Sequence, residues 1–75
     1  MLSADVYTES LALIREILEF GEHGSVVRCG RKRVFINKHN IDGNDDGIVT
    51  YGLYNDGIYV TLTHDANEAY DFLRG

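Results

Sequence analysis

The sequence predicts a small α+β domain with a four-stranded antiparallel sheet of two hairpins. An N-terminal and a short C-terminal helix flank this sheet in the order α-β-β-β-β-α. Three observations predict this fold: helical spacing of apolar residues near the start, a period of two between residues 25 and 63, and a helix-start signature at residue 65. At 75 residues, without proline, linker or repeat, residues 1–75 are expected to form a single domain.

The first predicted element is an amphipathic helix over residues 3–20. Its apolar residues merge into an arc of about 180° at 100° per residue. They are Val6, Tyr7, Leu11, Leu13, Ile14, Ile17, Leu18 and Phe20. Carboxylates gather on the opposite side, at Asp5, Glu9, Glu16 and Glu19. Ser3 is a suitable N-cap, and Gly21 or Gly24 can end the helix.

Two hairpins follow. The first joins residues 25–29 to residues 32–37 through Gly30-Arg31, a pair suited to a type II′ turn. The second joins residues 48–54 to residues 58–63 through Asn55-Asp56-Gly57.

The two-residue turn of the second hairpin can lie at Asp56-Gly57 or at Asn55-Asp56, and both positions give the same faces. The register follows if the turn lies at Asp56-Gly57. Leu53 then faces Val60, and Tyr51 faces Leu62. The core face is expected to carry Val49, Tyr51, Leu53, Ile58, Val60 and Leu62. The opposite, partly solvent-exposed face is expected to carry Thr50, Gly52, Tyr54, Tyr59, Thr61 and Thr63.

The last element is a short helix whose start is marked by Asp65-Ala66-Asn67-Glu68. This resembles a capping box with Asp in place of Ser or Thr. The helix is expected to bury Ala66, Ala69, Tyr70 and Leu73. Because each element has one apolar side, both helices are expected on one face of the sheet.

Charge is distributed unevenly along the chain, and this feature says most about function. Residues 1–22 carry −4, residues 23–41 carry +5 and residues 42–75 carry −6, which gives the net −5. Segregated carboxylates favour an acidic protein-interaction module that occupies the basic surface of a nucleic-acid-handling protein. Compact inhibitors of phages and mobile elements are an analogy of size and charge only. Solubility alone also rewards an acidic surface.

The residues expected to bind that protein partner are acidic side chains with two tyrosine anchors. They are Asp5, Glu9, Glu16, Glu19, Asp42, Asp45, Asp46, Tyr54 and Tyr59. Tyrosines bring large contact area at small entropic cost. Cross-strand pairing within the hairpin explains Tyr54 and Tyr59 equally well.

The alternative is nucleic-acid binding through the basic hairpin of residues 28–38. Its cations are Arg28, Arg31, Lys32, Arg33 and Lys38, which can contact phosphate. The overall pI of about 4.9 opposes it. The same cations can instead pair with helix carboxylates or protect a sheet edge from association.

Calcium is a further hypothesis, because Asp42-Gly43-Asn44-Asp45-Asp46-Gly47 matches the first half of an EF-hand loop. The second half departs from the pattern, since Leu53 occupies the position of the bidentate Glu. The three histidines have no zinc-ligand spacing, so neither a metal site nor a cofactor is predicted.

Binding is favoured over catalysis, since no nucleophile, base and oxyanion set emerges. The lone Cys29 allows no internal disulfide, which suggests a reducing compartment. Without a secretory leader pattern, the chain is expected to be cytoplasmic. A scaffold of this size without disulfide or metal also leaves a homodimer open.

Overall fold

A five-stranded mixed sheet and two helices make up the fold. The structure is a computed structural model that describes residues 5–39 and 48–75. The elements are β1 (Asp5–Tyr7), α1 (Leu11–Phe20), β2 (Val26–Cys29), β3 (Lys32–His39), β4 (Ile48–Asn55), β5 (Ile58–Thr63) and α2 (Ala66–Arg74). The strands lie in the order β1-β2-β3-β4-β5. Only β1 and β2 are parallel, while the other neighbouring strands are antiparallel.

The predicted helix over residues 3–20 is wrong at its start, where Asp5–Tyr7 form a strand. Val6 fits a helical stripe and a strand equally well, and three residues are too few for a period of two to appear. Pairing decides between them, because Val6 lies opposite Val27 and the strand covers an edge of β2. The sheet therefore gains a fifth strand, which makes it mixed.

Helix α1 begins at Leu11, and Ser10 caps it in place of the predicted Ser3, which lies outside the described residues. The Ser10 hydroxyl oxygen accepts a hydrogen bond from the Leu13 N–H at 3.3 Å. At the other end, the predicted stop at Gly21 is confirmed, and its N–H donates to the carbonyl of Ile17 at 2.7 Å. The helix thus has ten residues instead of eighteen.

Both helices pack against one face of the sheet, as predicted. Their buried side chains join alternate residues of β2, β3 and β4 in one cluster. Its members are Ile14, Leu18, Val27, Val34, Ile36, Tyr51, Leu53, Ala69 and Leu73. No helix in residues 5–39 and 48–75 is long and apolar enough to cross a bilayer.

Two tight turns follow the sequence prediction. Gly30 has φ 59° between β2 and β3, and Arg31 completes the turn. Between β4 and β5, Asp56 and Gly57 both have positive φ, of 53° and 80°. Two positive φ values match the type I′ turn that suits the twist of a hairpin. Of the two turn positions that the sequence allows, Asp56-Gly57 is the one that forms.

The register predicted for the second hairpin is wrong. Leu53 lies opposite Thr61 and Tyr54 opposite Tyr59, so Val60 is an extra residue in a β-bulge. An extra residue reverses which side chains of a strand face the core. Leu62 consequently lies opposite Gly52 instead of Tyr51.

The predicted core face is therefore correct on β4 and wrong on β5. Thr63 replaces Leu62 beside Tyr51 and is 7% exposed. The apolar residues Ile58, Val60 and Leu62 are 71%, 51% and 50% exposed. Strand β5 thus contributes little to the hydrophobic core.

Helix α2 begins as predicted, with a change in its capping contacts. Asp65 is the N-cap, and its carboxylate accepts from the Asn67 N–H at 2.8 Å. The Glu68 carboxylate does not reach back to the cap N–H. It accepts from the Thr63 hydroxyl at 2.9 Å, and the Thr63 oxygen accepts from the Asp65 N–H at 3.1 Å. Thr63 is thereby part of the helix start.

Candidate functional site

The face of the sheet that lies away from both helices is the candidate site, and we call it the open face. Register partners on neighbouring strands point to the same side of a sheet. The open face therefore carries Asp5, Tyr7, Arg28, Arg33, Phe35, Gly52, Tyr54, Tyr59 and Leu62. The predicted placement of Tyr54 and Tyr59 on the uncovered face is confirmed.

Three aromatic rings cross this face on β3, β4 and β5, and we call them the aromatic row. The Phe35 and Tyr54 centroids are 5.1 Å apart, and those of Tyr54 and Tyr59 are 5.6 Å apart. Both contacts are edge-to-face, the arrangement that the ring quadrupoles favour. Tyr59 is 54% exposed, so one end of the row is open to a ligand.

Gly52 shapes the floor beside the aromatic row. A Cβ placed on Gly52 would lie 3.4 Å from Tyr54 Cε1, 3.9 Å from Phe35 Cβ and 4.0 Å from Leu62 Cδ1. These are ordinary van der Waals distances, so a methyl group at this position would contact the aromatic row without displacing it.

Two arginines adjoin the aromatic row. Arg33 lies opposite Tyr54, and its guanidinium carbon is 5.9 Å from the Phe35 centroid. Arg28 lies opposite Arg33, and its Nε donates to the Asp5 carboxylate at 3.0 Å. This pair is exposed, and pairs of this kind contribute ~0–1 kcal/mol to stability.

Beside these arginines lies an open cavity of about 400 Å³, which we call the cationic basin. It is lined by Tyr7, Arg28, Gly30, Arg31, Lys32, Arg33, Asp56 and Gly57. Three guanidinium groups line it together with one carboxylate, and the Arg31 Nε is 3.8 Å from the Asp56 carboxylate. The Lys32 ammonium points away from it and lies 5.1 Å from the Phe72 centroid on α2. The basin suits an anion.

The fold brings together three of the five cations predicted for nucleic-acid binding. Arg28, Arg31 and Arg33 line the cationic basin, whereas the Lys32 ammonium packs over Phe72 on the helix side of the sheet. Lys38 lies apart from the basin, because it is six residues beyond Lys32 on β3. At the usual rise of a strand, six residues span roughly 20 Å.

The acidic residues predicted to bind a protein partner do not form one surface with the tyrosines. Glu16 and Glu19 are exposed on α1, behind the sheet, whereas Tyr54 and Tyr59 lie on the open face. Asp5 lies on the open face and pairs with Arg28. In the described part of the chain, neither helix glutamate forms an ion pair, and neither does the exposed Glu9 before α1.

The predictions for Asp42, Asp45 and Asp46, and for a calcium loop at 42–47, lie outside the described residues. The segment follows β3 and precedes β4, whereas an EF-hand loop lies between helices. Among residues 5–39 and 48–75, no three His, Cys, Asp or Glu side chains are grouped to hold a metal ion. Cys29 packs half-buried against the core cluster.

Sequence reasoning missed Tyr7 and Phe35 as site residues. Tyr7 was assigned to the helix, and its position became clear only through its pairing with Arg28. Phe35 did leave a signal, because Val34-Phe35-Ile36 is apolar at three consecutive positions. In a strand, such a run places an apolar side chain on each face of the sheet.

Comparisons with family models, with curated proteins and with solved structures gave no match for this chain.

Proposed function

We propose that the chain binds single-stranded nucleic acid across the open face. One observation carries this proposal: the aromatic row and the cationic basin adjoin each other on a face without helices. Proteins that bind single strands combine aromatic rings, on which bases stack, with cations that follow the phosphates. This corresponds to the alternative that the sequence left open.

Each half of the face has a separate task in the proposal. Tyr59 offers an exposed ring to a base. Tyr54 holds that ring through an edge-to-face contact and is itself packed against Phe35 in the same way. Arg28 and Arg33 lie between the rings and the basin, where backbone phosphates can accept from their guanidinium groups. The rings and the arginines lie on adjacent strands of the sheet, so one short single-stranded nucleic acid can contact both.

The net charge of −5 opposes binding of a polyanion, but its distribution lessens that effect. Glu16, Glu19, Glu68 and Asp71 lie on the helices, behind the sheet. The helix layer is roughly 10 Å from the sheet, about one Debye length at physiological salt. Salt therefore weakens the repulsion that these carboxylates exert on a ligand at the open face.

The test is fluorescence anisotropy with labelled DNA and RNA single strands of about twelve nucleotides. Affinity is expected to fall steeply between about 50 mM and about 200 mM salt, because phosphate contacts release counterions. Tyr59→Val, which keeps a strand-forming residue, should weaken binding about fivefold or more by removing a stacking ring. Arg33→Gln should reduce the salt slope by about 0.7 by removing one phosphate contact.

Two further variants make this test specific to the open face. Asp5→Asn frees Arg28 from its carboxylate and should tighten binding about twofold or more, since one exposed pair is lost. Arg74→Gln removes an exposed cation from α2, on the other layer, and should leave affinity unchanged. No anisotropy change at low salt, or equal losses for Arg33→Gln and Arg74→Gln, would refute the proposal.

A second candidate is a protein partner with a basic surface that docks on the helix layer. It is favoured by Glu16 and Glu19, which are exposed and have no ion pair in the described part of the chain. Affinity capture would separate the two proposals. Here a partner should be retained by Arg33→Gln and lost when Glu16 and Glu19 are replaced by Lys. The reverse pattern would contradict this candidate.

A further inference from the structure

Strand β5 forms the long outer edge of the sheet. It pairs only with β4, so backbone N–H and C=O groups along its other side have no strand partner among the described residues. The opposite edge differs, since β1 has three residues and one of them is Asp5. The two edges are therefore unequal in length and in charge.

The edge at β5 is unusual because it is apolar and uncharged. Ile58–Thr63 has no charged residue, in a chain of which a quarter is charged. Its large exposed side chains are Ile58, Tyr59, Val60 and Leu62, and each has at least half of its surface exposed. Proteins usually protect an exposed edge with charges or proline. Here the bulge at Val60 is the only such device on the strand.

We propose that β5 pairs with β5 of a second copy of this chain, antiparallel and around a two-fold axis. Such an interface uses the same surface of both copies. An uncharged apolar strand is complementary to itself, because it needs no opposite charge on its partner. The proposal stands independently of nucleic-acid binding.

Self-complementarity indicates a second copy as the occupant, and charge indicates β5 as the place of contact. Each copy carries −5, so two copies repel one another over most of their surfaces. At β5, two chains can approach without placing charges directly opposite each other on the paired strands. The free edge of each copy is then β1, whose short length and charge oppose further addition, so the assembly ends at two copies.

The dimer would join two sheets into one of ten strands. The two open faces then become neighbours, with Tyr59 and Leu62 of each copy beside the seam. A six-residue edge is about 20 Å long, so the contact is small and the dimer is expected to form only at high protein concentration. Salt should strengthen the dimer by screening the repulsion, whereas salt weakens nucleic-acid binding.

Sedimentation equilibrium of the purified chain, from about 1 μM to about 500 μM, tests the proposal. The wild type should change from monomer to dimer across this range, and more readily at higher salt. Val60→Lys places a charge on the edge and should remain monomeric, with an unchanged circular dichroism spectrum. Phe20→Lys is the matched control, because Phe20 is apolar and 73% exposed but lies on α1.

Ile58→Lys, at a side chain 71% exposed, repeats the test at the other end of the strand if Val60→Lys does not fold. Hydrogen exchange of the wild type gives a measurement without substitution. Amides of β5 should gain protection as concentration rises, while those of β1 should not. A wild type that is monomeric throughout, a dimer that survives both lysine variants, or a dimer lost only in Phe20→Lys overturns the proposal.

Discussion

Tyr51 is the residue through which β4 holds the end of α1. Its side chain is buried in the core, and its hydroxyl donates to the Leu18 carbonyl at 3.1 Å. Leu18 is in the last turn of α1, where carbonyls have no partner within the helix. Burial raises the pKa of Tyr51 above its usual value of 10.0, and the charges of Asp65 and Glu19 raise it further.

Tyr51→Phe should lower the free energy of unfolding by about 1 kcal/mol at neutral pH, because the Leu18 carbonyl loses its donor. The stabilisation linked to the raised pKa is fully present below the unfolded-state value. It is lost as pH rises through the higher folded-state pKa. The difference in the free energy of unfolding between the wild type and Tyr51→Phe should therefore be constant up to about pH 10 and shrink above it. Urea unfolding at a series of pH values measures this difference. If the free energies of unfolding of the two proteins change in parallel above about pH 10, the raised pKa of Tyr51 is contradicted.

At the scale of elements, the connection between β5 and α2 is held by side-chain hydrogen bonds. Asp65 caps the helix, and Thr63 contacts both the Asp65 N–H and the Glu68 carboxylate. Because Thr63 is also buried beside Tyr51, these bonds fix the end of the sheet and the start of the helix together. Helix α2 in turn supplies Ala69 and Leu73 to the core.

Asp65→Ala should destabilise the chain by about 1 kcal/mol, because an N-cap acceptor is lost. Asp65→Asn keeps a side-chain oxygen at the cap and should retain most of the stability. Chemical unfolding of the two variants beside the wild type measures the effect. If Asp65→Asn is destabilised as much as Asp65→Ala, the contribution comes from the negative charge and not from the hydrogen bond.

For the whole molecule, repulsion among carboxylates outweighs the ion pairs that the structure contains. Within residues 5–39 and 48–75, the ion pairs are Arg28–Asp5, Arg31–Asp56 and Arg74–Asp71, and all are exposed. Exposed pairs stabilise little. A chain with twelve acidic and seven basic residues therefore gains more from screening its like charges than it loses in these pairs.

The melting temperature should accordingly rise by about 2–4 °C between about 20 mM and about 500 mM NaCl, a gain of about 0.5 kcal/mol. Thermal unfolding at a single low protein concentration measures this rise without a contribution from dimerisation. A melting temperature that falls with salt would mean that the ion pairs dominate. Sodium sulfate is unsuitable as the salt, because it also strengthens apolar burial.

The sequence predicted a large part of the candidate site. The arginines at 28–33 are close in the folded chain as well as in the sequence, because they flank one tight turn. Tyr54 and Tyr59 were assigned to the correct face because the Asp56-Gly57 turn connects their strands directly. Lys38 lies apart from this cluster, since closeness along an extended strand does not give closeness in space.

Features under short-range control could be read from the residues alone. Both tight turns follow from residues that accept positive φ, and the Asp65 cap follows from a side chain beside its own helix. The strand Asp5–Tyr7, the bulge at Val60 and the contact of Phe35 with Tyr54 became evident only in the folded chain. Those features depend on pairing between distant segments, whose energy exceeds the small local preferences that a sequence pattern records.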